Sequence, residues 1–176
     1  MKKNPVDKTS AEYLMQLVSG ARSALLVVLL FTVVNLVMLL MDSGTYFLFS
    51  TSVPYYLTAF GMGMDVGAGG AAIGTFTKVA LGISAVVLLL YLLSWLLSKK
   101  RSGWLVVALV AFLLDTAALV LLCLVFDVLA ESVMDLVFHG LVIIRLIQGI
   151  SATGKLKKMP AEEAAPVVRE PVDPEF

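Results

Sequence analysis

Hydrophobic positions gather into four long runs along this chain. Residues 24–41 are eighteen positions without a charge, and residues 79–97 are nineteen without one. Residues 104–126 are twenty-three, interrupted only by Asp115, and residues 133–150 are eighteen that carry Asp135, His139 and Arg145. At 1.5 Å per residue, about 20 helical residues cross the roughly 30 Å of a bilayer's hydrocarbon. Each run therefore predicts a membrane-spanning helix. The fourth is opposed by ~2.5–3.5 kcal/mol for an ionisable residue at the centre. Two of its three such residues lie off-centre, and eleven Val, Ile, Leu or Phe residues favour insertion.

Polar positions mark the connections. Before the first run stand Lys2, Lys3, Lys8 and Arg22; after the second, Lys99, Lys100 and Arg101; after the fourth, Lys155, Lys157 and Lys158. The first connection has one cation, Lys78, at its edge, and the third has only Asp127 and Glu131. Basic and non-basic connections alternate as four spans require, with both termini in the cytoplasm by the positive-inside rule. The first run ends in Met41-Asp42-Ser43 and not at a small-residue cleavage site, so it reads as a retained span. The expected fold is all-α: an integral membrane four-helix bundle, up-down-up-down, occupying residues 1–154, with an N-terminal lead-in helix. A disordered cytoplasmic tail is expected over 155–176, which holds four prolines and mixed charge.

Thr9-Ser10-Ala11-Glu12 matches a capping box, with Thr9 as N-cap, and starts the lead-in helix. The connection 42–78 carries seven of the sixteen aromatics, and its stretch 46–60 is uncharged and contains Pro54. That stretch is too short and too broken to cross, so a short interfacial or shallow re-entrant segment on the outer side is expected, its tyrosines in the aromatic belt. The glycine-rich stretch 67–74 lacks a phosphate-loop pattern and reads as a turn.

Composition sharpens the picture. Of 176 residues, 60% are hydrophobic and 15% charged, against about 45–50% and 25% in soluble domains. Thirteen basic residues balance thirteen acidic ones, so no global field recruits nucleic acid. The lone Cys123 forms no intramolecular disulfide.

Candidate chemistry lies with the polar residues inside the runs. Asp115 lies about 17 Å from either end of its run, where a carboxylate needs a partner, water or a raised pKa. Ala108, Ala111, Asp115 and Ala118 share one helix face of small residues, which turns Asp115 into the bundle. Its partner is expected on the fourth span, either His139 or Arg145; Arg145 alternatively snorkels to headgroups. Asn35 is as deep as Asp135 and is expected to hydrogen-bond it, and Tyr91 is near the depth of Arg145. Asp127, Glu131, Asp135 and His139 recur every four residues. On one continuous helix they form a ladder inward; with a turn near 128–131, Ser132 instead caps the fourth span and Asp135 stands in its first turn. No catalytic motif appears, and two ligands at most complete no zinc site. No enzyme, cofactor or metal is expected.

The stretches 47–56 (FLFSTSVPYY) and 97–104 (LSKKRSGW) resemble those of small uncharacterised bacterial four-span membrane proteins. The resemblance implies a bacterial inner membrane and carries over no functional residue. The functional expectation is a non-enzymatic accessory or interaction protein. Its partners would be the bilayer and a second copy or another membrane protein. The alternative is an oligomeric channel or proton- or cation-coupled transporter using Asp115, Asp135 and His139.

Overall fold

The computed structural model describes residues 10–130 and 132–160. Five helices follow one another: α1 Ala11–Leu40, α2 Ser52–Gly67, α3 Thr75–Leu97, α4 Gly103–Val125 and α5 Val133–Leu156. There is no strand among the described residues. Four of the helices, all but α2, are long and apolar enough to cross a membrane. The chain is a multi-pass membrane protein.

The predicted lead-in and first span are one helix. The N-cap is Ser10, whose Oγ accepts from the Tyr13 amide at 3.3 Å; the expected cap Thr9 lies outside the described residues. Likewise α5 runs on to Leu156, so the first two residues expected in the tail are helical. The rest of the tail beyond residue 160 is outside the described residues.

Contacts fix the up-down order. Arg22 of α1 donates from Nε to Ser98 Oγ at 3.1 Å and from Nη2 to the Trp95 carbonyl at 3.4 Å, and its guanidinium stacks over the Trp95 ring. Lys157, just past α5, donates to Ser102 Oγ, just before α4, at 2.8 Å. The start of α1, the end of α3, the start of α4 and the end of α5 therefore share one end of the bundle, here called the basic end. The α2–α3 and α4–α5 turns lie at the opposite end. Where α1 crosses α5, Gly149 faces Ala21 so closely that a Cβ on Gly149 would collide with the alanine methyl.

The helices are apolar outside, and their buried faces mix small and polar residues with larger apolar ones. Along α3, Val79, Ile83, Val86, Leu89, Leu93 and Leu96 are exposed, whereas Thr77, Ala80, Ser84, Tyr91 and Ser94 are buried. Leu25, Val28, Leu105, Phe112, Val142 and Leu146 complete the core around Tyr91. Lipid solvates Leu and Val as well as a core does, so close packing, small side chains and hydrogen bonds hold helices together in a membrane.

The expected interfacial segment is where the fold departs most from the sequence reading. Residues 43–51 run back along α1 toward its middle, and α2 then returns along α3 toward the hairpin end. Pro54 falls in the first turn of α2, where its missing N–H breaks no helical bond. Gly61 lets α2 approach α3 closely, since a Cβ there would lie 3.0 Å from the Phe76 carbonyl oxygen and the Thr77 Cα. The segment is thus a deep re-entrant hairpin, an extended arm in and a helix out, not a shallow one.

Candidate functional site: a re-entrant helix terminus in the bundle interior

The extended arm is held by α1. Asn35 Nδ2 donates to the Phe47 carbonyl at 2.7 Å and to Ser50 Oγ at 2.9 Å, and its Oδ1 accepts from the Phe47 amide at 2.8 Å. One turn deeper, Thr32 Oγ1 donates to the Val28 carbonyl at 2.7 Å and accepts from the Thr51 amide at 2.9 Å. Its single proton is thereby committed, so in the 3.0 Å contact between the two hydroxyls Thr51 is the donor. The Tyr46 hydroxyl lies 2.9 Å from Ser50 Oγ. At the bend Phe49 adopts a left-handed conformation, φ 66°, and its ring packs on Phe138 with centroids 3.8 Å apart. A bulky residue there is strained by about 1–3 kcal/mol, which the surrounding contacts must offset.

The arm delivers the N-terminus of α2 to the middle of α4. A helix start leaves its first amides without intrahelical acceptors, and here they point at Asp115. Oδ2 accepts from the Ser52 amide and Oδ1 from the Val53 amide, each at 2.8 Å. Oδ2 also meets His139 Nε2 at 3.2 Å. Asp115 is 4% exposed and His139 1%. A carboxylate at a helix N-terminus satisfies two orphan donors and complements the positive end of the helix dipole.

His139 is oriented from both sides. Its Nδ1 lies 2.8 Å from the Asp135 carbonyl, which only accepts, so Nδ1 carries a proton. Nε2 then faces Asp115 Oδ2, with Ser52 Oγ at 3.4 Å. Phe112 stacks on the imidazole face at 4.9 Å between centroids. A hydrogen bond between Nε2 and Oδ2 needs one proton between them, because two bare acceptors would repel at this distance.

Asp115 and His139 are brought together; Arg145 is not with them but exposed on the surface of α5. Tyr91 is buried and meets Phe112 edge-on at 6.4 Å, away from Arg145. Asn35 and Asp135 do stand at the same height, each fourteen residues from the Ala21–Gly149 crossing (35 − 21 and 149 − 135). The expected bond between them is replaced by the stronger set that Asn35 makes to the backbone of the arm. Asp135 is buried with Oδ1 unpartnered in the protein. The ladder is broken: α4 ends at Val125, Asp127 turns the chain at φ 54°, and α5 begins at Val133. Glu131 lies outside the described residues. Ser132 occupies the N-cap of α5, but its side chain makes no capping bond.

Further roles come to residues the sequence reading passed over. Ser84 Oγ donates to the Pro54 carbonyl at 3.2 Å, and Thr58 Oγ1 donates to the same oxygen at 2.8 Å, pinning α2 to α3. Asp65 gathers the start of α3: its carboxylate accepts from the amides of Gly74 at 2.9 Å, Phe76 at 3.1 Å and Thr77 at 2.8 Å, and from Thr77 Oγ1 at 2.7 Å. Burial pushes the Asp65 carboxyl up, but the bonds from the Thr77 hydroxyl and the three amides outweigh it and hold it below the usual range. Heptad spacing of Thr77, Ser84, Tyr91 and Ser98 in an otherwise apolar run was the available signal for an inward hydroxyl face.

Comparison with protein-family models, with curated proteins and with solved structures finds no match for this chain.

Proposed function

We propose that this protein is a non-enzymatic accessory or interaction protein of a bacterial inner membrane. Its re-entrant hairpin would be the presented surface. One observation carries the reading: Asn35, Thr32, Asp115, Ser84 and Thr58, from three of the spanning helices and α2 itself, all bind residues 47–54. Polar groups in a bilayer are costly, and here they fix the shape of one segment. A rigid segment loses little conformational entropy when a partner docks. Its outward face carries Phe60, 67% exposed, with Met64 and Val66 nearby.

The basic end, with Arg22, Lys99, Lys100, Arg101, Lys155 and Lys157, belongs in the cytoplasm by the positive-inside rule. Both ends of the chain then start from that side, and the hairpin faces outward. Cysteines at Ser43 and Ser102 should label from opposite sides with an impermeant reagent; same-side labelling would sink this orientation.

The function is tested with a photo-crosslinking residue at Phe60 in the full chain in native membranes, with a control at the exposed Leu114 of α4. The expected result is one discrete membrane-protein adduct, or an adduct with a second copy, from position 60 and not from 114. Adducts with lipid alone from both positions would refute the reading.

A further inference from the structure

Arg145 is the only charged residue of α5 between Asp135 and Lys155. It is exposed, and so are Leu141, Ile144 and Ile147 around it, so the face it stands on meets lipid. Among the described residues it has no ion-pair or hydrogen-bond partner. A charge in that setting needs an anion or water. Its Cα is ten residues from that of Lys155 (155 − 145), about 15 Å along the helix. The Cα–Cβ bonds of α5 tilt toward its N-terminus, away from the basic end, so reaching ordinary headgroup level runs against the geometry of the helix.

A crevice of about 340 Å³ lies between α1 and α5, from the level of the Ala21–Gly149 crossing toward the basic end. Tyr13 of α1 and Gln148, Ser151 and Lys155 of α5 give it a polar lining, and Leu14, Leu17 and Ile147 an apolar one. Among the described residues none of those four polar side chains has a hydrogen-bond partner within the chain. Arg145 stands one turn from Gln148, just beyond the deep end of the crevice, and so begins a polar row 145, 148, 151, 155 down α5. A phosphate level with the space between Gln148 and Ser151 lies roughly 7–8 Å along the axis from the Cα of both Arg145 and Lys155, within reach of either side chain. The charge around it suits an anion. Among the described residues the basic end carries Arg22, Lys99, Lys100, Arg101, Lys155, Lys157 and Lys158 against the single acid Glu12.

We propose that this crevice binds one anionic phospholipid from the surrounding leaflet. Its phosphate lies between Arg145 and Lys155 and accepts from Gln148 and Ser151, and an acyl chain leaves over Leu17 and Ile147. Basic pockets between spanning helices recognise such headgroups, and a guanidinium offers phosphate two parallel donors. The occupant is a lipid and not a free phosphate, because the deep wall is apolar and opens on hydrocarbon, which a chain fills and an ion does not. A carboxylate on another membrane protein would account for Arg145 alone; an amphipathic molecule accounts for the polar and the apolar lining together. The site goes beyond the accessory reading and lies at the opposite end of the molecule from the hairpin, so either stands if the other fails.

The test uses the full chain purified in a neutral detergent and given phosphatidylglycerol or phosphatidylcholine with matched chains. Native mass spectrometry counts the lipid retained. Wild type should keep one phosphatidylglycerol per chain, and that lipid should raise Tm where phosphatidylcholine does not. Arg145→Gln should weaken retention about fivefold to tenfold, the effect of one charge at an anionic headgroup. It should leave the lipid-free Tm unchanged, because Arg145 is exposed and bonds to nothing in the chain. Ser151→Phe, which fills the crevice and keeps every charge, should weaken retention too. Lys100→Gln, which removes an exposed charge outside the crevice lining, should not. The proposal is overturned by equal retention of the two lipids, by Arg145→Gln binding as wild type does, or by as great a loss from Lys100→Gln. Competition by free glycerol 3-phosphate would show a site for a soluble anion, and a second copy released by Arg145→Gln would show a protein partner; either also overturns it.

Discussion

Two aspartates in this protein cap the start of a helix, and they do it in opposite ways. Asp65 reaches forward nine to twelve residues, across one glycine-rich turn, to the first amides of α3. Asp115 reaches back 63 residues in sequence to the first amides of α2. The first cap sits at the hairpin end and is complete within its own turn. The second sits in the bundle interior and shares its carboxylate with His139. A local cap asks only that a turn close. A remote cap works only if four elements already stand in register: the arm, α2, α4 and α5. The two should therefore respond very differently to the same chemical change.

The largest effect is expected at the remote cap. Asp115→Ala leaves the Ser52 and Val53 amides without an acceptor and His139 Nε2 without its partner. Breaking a buried pair in this way typically costs about 3–5 kcal/mol. Asp115→Asn, which keeps an acceptor, should also destabilise measurably but less. Unfolding in detergent, followed by Tm or denaturant midpoint, checks both, and a neutral Asp115→Ala would remove the premise that this carboxylate holds the hairpin.

Next comes coupling. Asp115→Asn and His139→Gln should be non-additive by about 0.5–3 kcal/mol in a double-mutant cycle. Asp115→Asn with Arg145→Gln should be additive, since Arg145 faces outward. Coupling to Arg145 in place of His139 would reassign the pair.

At the local cap the expected signature is a pH dependence. The Asp65 carboxyl lies below its ordinary value of 3.8. Its contribution to stability is therefore fully present above that value and is lost as pH falls through the lower, folded one. Asp65→Asn should lower Tm near neutrality, and the gap to wild type should narrow below about pH 4. A gap constant down to pH 2 would show that the charge of Asp65 does not matter to α3.

The smallest effect is expected where an aspartate caps nothing. Asp127 turns the chain at φ 54°, a conformation that Asn tolerates as well. Asp127→Asn should stay within about 0.5 kcal/mol of wild type, and a larger loss would point to a partner beyond the turn.

The contrast also explains what the sequence could say. Long apolar runs depend only on hydropathy, so four spanning helices were legible, with α3 and α4 within a few residues of their bounds. The aim of Asp115 into the bundle was legible from the alanine spacing beside it. Its main partners were not, because they are backbone amides, which every residue but proline carries. α2 was missed for a related reason. Pro54 read as a break in 46–60 and the glycines from Gly67 as a turn, yet Pro54 falls in the first turn of α2, and Gly61 lies at its contact with α3. Those residues weaken a helix standing alone. They suit one that starts in the interior and lies close against a neighbour.

The distance between Ser52 and its partners has a consequence for biosynthesis. Asn35 and Thr32 are already made when residues 47–51 leave the ribosome, so the arm finds its first holds at once. Asp115 follows 63 residues later and His139 87 residues after Ser52. At about 5–20 residues per second, the bare start of α2 waits roughly 3–13 s for its acceptor. During that interval a membrane-inserted α2 would expose unpaired amides to lipid, so the half-helix should settle into the interior only after α4 and α5 have arrived. The re-entrant hairpin is then synthesised before the acceptors of its helix start and is put in place after them.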